Sequence, residues 1–192
     1  MKTTLNALLY LLVFVSFSLS AAAQAIPDST RITIGPEVGL PTGSISNRYV
    51  VSLGASARVD FPITKKSYIT ASVGYNNFLL ANGALTTQQA ILNVPMHSLQ
   101  TLPVKIGYKY FLIKQFYVQV EAGETLILNK AAEYATNSYS FTYAPQIGML
   151  FKLKKNHRYI DAGFRYEGVS SFYNDKDKYN FYAVHIAYAF NL

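Results

Sequence analysis

The feature that most constrains this sequence is a regular alternation of apolar residues with small or polar residues. Successive side chains of a β strand point to opposite faces, so an alternation with a period of two predicts strands with one apolar face. Eight segments show this pattern, at residues 31–40, 51–61, 69–76, 101–110, 116–123, 141–151, 160–167 and 182–192. The sequence therefore predicts an all-β fold.

The linkers between these segments alternate in length. Three are short, at residues 62–67, 113–115 and 154–158, and the other four are longer, at residues 41–49, 79–98, 129–139 and 170–179. This rhythm is typical of an up-and-down barrel in an outer membrane, which has short periplasmic turns and long external loops. An even number of strands then places both termini in the periplasm.

Two kinds of barrel fit alternating strands. A soluble carrier of the lipocalin type has its apolar face inside, whereas a membrane barrel has it outside. The non-apolar face here is rich in Gly, Ala, Ser and Thr, and several of these residues are unfavourable on a solvent-exposed sheet but fit a narrow interior. We therefore predict an eight-stranded antiparallel up-and-down transmembrane β-barrel, with the soluble carrier as the alternative.

The non-apolar face also carries charges of both signs, which predict an interior polar network. A barrel of about eight strands is just filled by its side chains. We therefore expect these charges to form salt bridges that close the barrel, and a narrow pore lined by both signs is the alternative. The predicted network consists of Arg31, Glu37, Arg58, Asp60, Lys105, Lys109, Glu121, Asp161, Arg165 and Glu167.

Tyrosines near the strand ends predict an aromatic girdle at the membrane boundary. An amphipathic ring is stable at the level of the lipid head groups, where one side is apolar and the other wet. The candidates for this girdle, of which we expect some to face inward, are Tyr68, Tyr110, Tyr117, Tyr139, Tyr159, Tyr166, Tyr179 and Tyr182.

The N-terminus predicts a secretory signal peptide at residues 1–23. Lys2 supplies a positive charge, residues 8–19 form an apolar run, and small residues follow at positions 20–23. This order is that of a signal peptide, and the run is short for a membrane-spanning helix. Cleavage after Ala23 or after Ala25 leaves a barrel domain at residues 26–192, and an uncleaved anchor is the alternative.

The overall charge and the absence of cysteine exclude several classes of protein. The formal net charge is +7, but the lysines lie in scattered short turns and an exported chain rarely meets nucleic acid, so we expect no nucleic-acid partner. The chain contains no cysteine. It therefore has neither a disulfide nor a cysteine-linked lipid.

The sequence contains no recognisable catalytic, metal-binding or cofactor-binding motif, and we predict that the chain is not an enzyme. His97, His157 and His185 lack the close spacing of a metal pair. His185 lies on the inward face and is expected to be an interior polar group. His97 and Ser98 are the best candidates for the alternative, an outer-membrane lipid-modifying enzyme, but adjacent strand residues point to opposite faces.

Residues 102–111, Leu-Pro-Val-Lys-Ile-Gly-Tyr-Lys-Tyr-Phe, and the alternating last strand resemble the small outer-membrane β-barrels of Gram-negative bacteria. The resemblance is strongest to the PorT-like barrels of Bacteroidetes and extends to OmpA-like barrels. Members usually end on an aromatic residue read by the barrel-assembly machinery, whereas this chain ends Phe190-Asn191-Leu192. The resemblance implies an outer-membrane location and an accessory role in protein secretion or envelope assembly.

The expected function is therefore a structural or interaction role through the external loops. Residues 79–98 form the longest loop and carry six apolar residues, which suits a partner surface. The expected partners are outer-membrane lipid and lipopolysaccharide, the barrel-assembly machinery, and an envelope or secretion protein.

Overall fold

The computed structural model describes residues 29–80, 97–129, 137–153, 158–170 and 179–192. The predicted signal peptide and most of the longest loop, with its apolar residues between positions 85 and 94, lie outside these ranges. So does His157.

Eight antiparallel strands form a closed barrel in which each strand pairs with its neighbours in sequence. The barrel closes where the first strand pairs with the last, with Arg31 opposite Asn191 and Thr42 opposite Asn180. This confirms the predicted fold class. The strands are β1 (Arg31–Thr42), β2 (Tyr49–Pro62), β3 (Ser67–Leu80), β4 (Leu99–Phe111), β5 (Phe116–Ile127), β6 (Tyr139–Lys152), β7 (Arg158–Val169) and β8 (Tyr179–Asn191).

The two ends of the barrel differ in their connections. The turn end has the short connections 63–66, 112–115 and 153–157, together with the start of β1 and the end of β8. The loop end has the connections 43–48, 81–98, 128–138 and 170–178. The connection 43–48 contains a 3-10 helix (Gly43–Asn47), in which Gly43 has a φ of 70°, a conformation that glycine adopts readily.

The outer surface of the barrel is a continuous apolar belt. Among the outward-facing positions of the eight strands, only Glu124 and Arg158 are charged, and Arg158 is the first residue of β7. The strands contain 12–14 residues, more than the roughly 9–11 that cross a bilayer. Ile106, near the centre of β4, is 69 % exposed. No helix in the described ranges has the length and hydropathy to cross a membrane.

Half of the tyrosines predicted for the girdle point into the barrel. Tyr68, Tyr117 and Tyr179 are buried. Tyr159 is half-buried and packs against the buried cluster at the turn end that contains Tyr68 and Phe111. The girdle prediction is wrong for these four, because their position in the alternation places them on the inward face. Outward-facing aromatic residues do occur at the strand ends, and these are Phe61, Tyr110, Tyr139 and Phe151.

Glycines on the inward face leave room for large interior side chains. A Cβ atom added at Gly148 would lie 2.3 Å from the hydroxyl of Tyr117, and one at Gly163 would lie 2.4 Å from Cε1 of His185. The small residues of the inward face therefore determine where the ring of Tyr117 and the imidazole of His185 can lie.

Replacing Gly123 by alanine is expected to destabilise the barrel by about 1–3 kcal/mol, because the new methyl group would overfill the contact between β4 and β5. The Cβ atom added at this position would lie 2.1 Å from the carbonyl oxygen of Val104. This oxygen belongs to the backbone, which cannot relieve the clash by changing a rotamer. Gly74→Ala is the matched control, since its nearest contact is Cγ of Pro103 at 3.2 Å. Urea unfolding in lipid vesicles measures both, and equal losses would contradict the prediction.

Candidate functional site

The structure places all ten residues of the predicted polar network inside the barrel, each no more than 7 % exposed. Eight of them form two groups of four charges. We call these the Asp161 cluster (Arg58, Asp60, Lys109 and Asp161) and the Glu167 cluster (Glu37, Lys105, Arg165 and Glu167).

The Asp161 cluster joins β2, β4 and β7. Arg58 donates from Nε to Oδ1 of Asp60 at 3.0 Å and from Nη2 to Asp161. Nζ of Lys109 lies 2.6 Å from Oδ2 of Asp60 and 4.6 Å from the centre of the Tyr117 ring. Each carboxylate therefore meets a cation directly, and β4 and β7, which do not pair with β2 in the sheet, are linked to it across the interior.

Tyr117 and His185 also contact Asp161, and Gln146 contacts Tyr117. The hydroxyl of Tyr117 donates to Oδ1 of Asp161 at 2.7 Å, and the side-chain amide of Gln146 donates to the Tyr117 oxygen at 2.8 Å. Nε2 of His185 lies 3.4 Å from the same Asp161 oxygen. His185 is thus the interior polar group that the sequence predicts, and Tyr117 and Gln146 are members that the charge pattern missed.

The Glu167 cluster joins β1, β4 and β7. Arg165 donates to both carboxylate oxygens of Glu37, at 3.1 and 2.7 Å, and its Nε lies 3.0 Å from Oε2 of Glu167. Nζ of Lys105 donates to the same Glu167 oxygen at 2.6 Å. Ser56 donates to Glu37 at 2.5 Å. The paired donation from one guanidinium to one carboxylate fixes the relative positions of β1 and β7.

Each cluster contains two cations and two anions, so each is electrically neutral. Buried charges are tolerated only when they are paired and hydrogen-bonded, and the clusters meet that condition. Two members of the predicted network lie outside them. Glu121 accepts a hydrogen bond from Thr70 at 3.2 Å, and Arg31 lies at the turn end.

Little free volume remains around the Glu167 cluster. A cavity of about 10 Å³ lies between Glu37, Arg58, Lys105, Glu121 and Arg165. A second cavity of about 10 Å³ lies between Glu167 and the aromatic residues of the loop end. Each has roughly the volume that one water molecule requires. Cavities this small among the described residues are in line with an eight-stranded interior that side chains just fill.

An apolar plug closes the interior toward the loop end. Its rings pack edge to face, with centres 6.1 Å apart for Tyr49 and Phe78 and 5.2 Å apart for Phe78 and Phe181. Ile45 of the 3-10 helix is buried against them, so the connection from β1 to β2 folds over the barrel end. The plug consists of Ile45, Tyr49, Phe78, Leu99, Ile127, Val169, Tyr179, Phe181 and Ala183.

His97 and Ser98, the candidates for lipid hydrolysis, lie immediately before β4. His97 is exposed, and the carbonyl oxygen of Ser98 accepts a hydrogen bond from the side chain of Asn129 at 2.6 Å. No group of three or more His, Asp or Glu side chains in the part of the chain that the structure describes is arranged to hold a metal ion.

No family model and no curated protein matches the chain in sequence. Solved structures do match its fold. The crystal structure of Ail, the attachment invasion locus protein of Yersinia pestis, aligns with a TM-score of 0.50 at 13 % identity, covering 85 % of this chain and 99 % of Ail. Ail in a phospholipid bilayer nanodisc aligns with a TM-score of 0.50 at 12 % identity over the same shares. This chain has the fold of a transmembrane β-barrel.

A further match is the N-terminal β-barrel domain of Pseudomonas aeruginosa OprF, with a TM-score of 0.45, 10 % identity, and coverage of 85 % of this chain and 99 % of that domain. The transmembrane fold agrees with the orientation of the faces, since the apolar side chains lie outside and the charged ones inside. A soluble carrier barrel requires the opposite orientation.

Proposed function

We propose that this chain is an outer-membrane barrel without a channel, which acts as a rigid scaffold for the loops at its loop end. The observation that supports this proposal is the double closure of the interior, by the two neutral charge clusters and by the apolar plug. A filled barrel has no continuous channel, and the long connections are the surface that can contact a partner at the loop end. In this proposal the termini face the periplasm and the loop end faces outward, as in other outer-membrane barrels.

The test of closure is conductance. Purified barrel inserted in a planar lipid bilayer is expected to show no ohmic channel steps, because paired charges and aromatic rings occupy the lumen. A porin inserted by the same procedure is the positive control. The double variant Phe78→Ala with Phe181→Ala opens the plug but leaves both clusters, and is expected to remain closed. Regular conductance steps from the unaltered chain would sink the proposal and favour the narrow pore.

We propose that the partner of the loop end is a secretion or envelope-assembly protein, in line with the resemblance to PorT-like barrels. This form of the proposal needs a contact made by residues 81–98, the longest connection. The chain also needs lipid and lipopolysaccharide around its apolar belt and the barrel-assembly machinery for insertion. We propose no enzymatic activity.

Site-specific crosslinking in the cell tests the partner. A photoreactive amino acid at position 91, in the longest loop, is expected to capture an envelope protein reproducibly, whereas the same group at Lys65 in a short turn serves as the matched control. A crosslink to a component of the secretion apparatus from position 91 alone supports the proposal. Identical crosslinking patterns from both positions would contradict it.

A further inference from the structure

The turn end of the barrel contains an open cup with a volume of about 540 Å³. Its walls come from the ends of β1, β3, β4, β6 and β7 and from two short turns. This volume lies within the range of roughly 300–1,000 Å³ that small-molecule sites occupy. The lining residues include Tyr68, Phe111, Leu150 and Tyr159, which form an apolar floor and wall.

Arg31 is the unusual member of this cup. It is 5 % exposed, and its guanidinium lies over three rings, 5.4 Å from the centre of Tyr68, 5.9 Å from Phe111 and 5.0 Å from Tyr159. Nε donates to Oδ1 of Asn191 at 3.1 Å. Its Nη1 is buried and has no hydrogen-bond partner among the described residues.

Arg31 differs from the other buried cations in its lack of a carboxylate partner among the described residues, and this difference suggests a ligand. The other four cations of the network each lie within 4.0 Å of a carboxylate, and Arg31 forms no such ion pair with any described residue. Burying a guanidinium costs free energy when one of its N–H donors has no hydrogen-bond acceptor. The three rings stabilise the positive charge, but they do not provide an acceptor for Nη1. An anion that entered the cup would complete the coordination of Arg31.

The rest of the lining favours the same chemistry. Lys65, Lys66, Lys114 and Lys152 surround the cup, and its lining contains no Asp or Glu. These four side chains are exposed and provide long-range attraction for an anion, whereas Arg31 provides the buried contact. The aromatic walls suit a flat or short apolar body of the ligand.

We propose that the cup binds a small organic anion, a carboxylate or phosphate attached to an aromatic or short aliphatic group. Nη1 of Arg31 donates to the anion, and the rings of Tyr68, Phe111 and Tyr159 enclose the apolar part. This site lies at the opposite end from the proposed partner surface and does not depend on the proposed function. The same chemistry could be supplied by a soluble metabolite or by a lipid head group.

The test is calorimetric titration of the full mature chain in nanodiscs of zwitterionic lipid, with phenyl phosphate as the probe and empty nanodiscs as the blank. Saturable binding is expected. Arg31→Gln is expected to weaken it by about tenfold or more, as loss of a charged hydrogen bond predicts. Arg48→Gln, which makes the same change at the loop end, is the matched control and is expected to leave binding unaltered.

Two smaller probes, each resembling one part of phenyl phosphate, distinguish binding in the cup from non-specific attraction of an anion to the lysines. Inorganic phosphate and benzyl alcohol should each bind about tenfold more weakly than phenyl phosphate, because each uses one part of the cup. Adding phosphatidylglycerol to the nanodisc distinguishes the sources. Competition by this lipid would support a head-group ligand, and undiminished binding would support a soluble one.

Four results would overturn the proposal. They are no saturable binding, equal binding of inorganic phosphate, no effect of Arg31→Gln, and binding that emerges only after Asp28→Asn. The last result would mean that a carboxylate of this chain occupies Arg31. Gel mobility before and after boiling verifies that each variant is folded. If Arg31→Gln does not fold, Phe111→Leu removes one enclosing ring, and unchanged binding of phenyl phosphate by that variant would likewise overturn the proposal.

Discussion

Replacing Asp161 by leucine is expected to lower the free energy of unfolding by about 3–5 kcal/mol, because it leaves the two buried cations Arg58 and Lys109 with Asp60 as their one carboxylate partner among the described residues. Asp161 is fully buried and is contacted by Arg58, Tyr117 and His185. Its removal gives the Asp161 cluster a net positive charge and leaves the hydroxyl of Tyr117 without its hydrogen-bond acceptor. Urea unfolding in lipid vesicles, followed by gel mobility, measures the loss.

Two further variants identify the cause of this loss. Glu124→Leu removes the same charge from an outward position and is expected to be neutral or stabilising, since Glu124 lies in the apolar belt. The double variant Arg58→Met with Asp161→Leu removes the pair together and leaves Asp60 paired with Lys109. An apolar replacement of a whole buried pair is often tolerated. We therefore expect the double variant to recover most of the stability, and failure to recover would assign the loss to packing.

The fold was accessible from sequence because alternation acts on every strand independently. In β8, the residues at 182, 184, 186 and 188 are all exposed and those at 183, 185, 187 and 189 are all buried, as the pattern predicts. A slip of one residue would turn every apolar side chain of that strand inward. Eight strands of this kind, joined by short and long connections in alternation, are typical of an up-and-down barrel.

The pairing of the interior charges was not accessible in the same way. Alternation assigns Arg58 and Asp161 to the inward face, but these residues are 103 positions apart in sequence. Whether they meet depends on the tilt and stagger of the strands, which local patterns do not encode. The sequence therefore predicts the members of the network but not its division into two neutral clusters.

The sequence-based prediction was least accurate for the aromatic residues at the ends of the barrel. Nearness to a strand end marks eight tyrosines as candidates for the girdle, whereas parity places Tyr68, Tyr117 and Tyr179 inside. Tyr117 occupies space provided by Gly148 on β6, and Tyr179 belongs to the apolar plug. Phe78 and Phe181, also at inward positions, were the available signal for the plug. Parity determines the face of an aromatic residue more reliably than its nearness to a strand end.

The apolar belt makes the last prediction, which concerns the lipid. Ile106→Arg is expected to destabilise the barrel in a bilayer by about 2–4 kcal/mol, the cost of a cation on the lipid-facing surface near the membrane centre. Ile106 is 69 % exposed and lies near the middle of β4. In water such an exposed position would accept arginine with little effect. The size of the loss therefore reports the medium that surrounds the belt.

Ile113→Arg is the matched control, because Ile113 is 65 % exposed but lies in a short turn beyond the end of β4. A cation near the membrane interface costs about 0–1 kcal/mol. Unfolding of both variants in the same vesicles should thus give a difference of about 1–4 kcal/mol. Equal, small losses would mean that the belt around Ile106 is not in contact with lipid. Such a result would not affect the charge clusters, but it would mean that contact with lipid does not explain the apolar outer surface of the barrel.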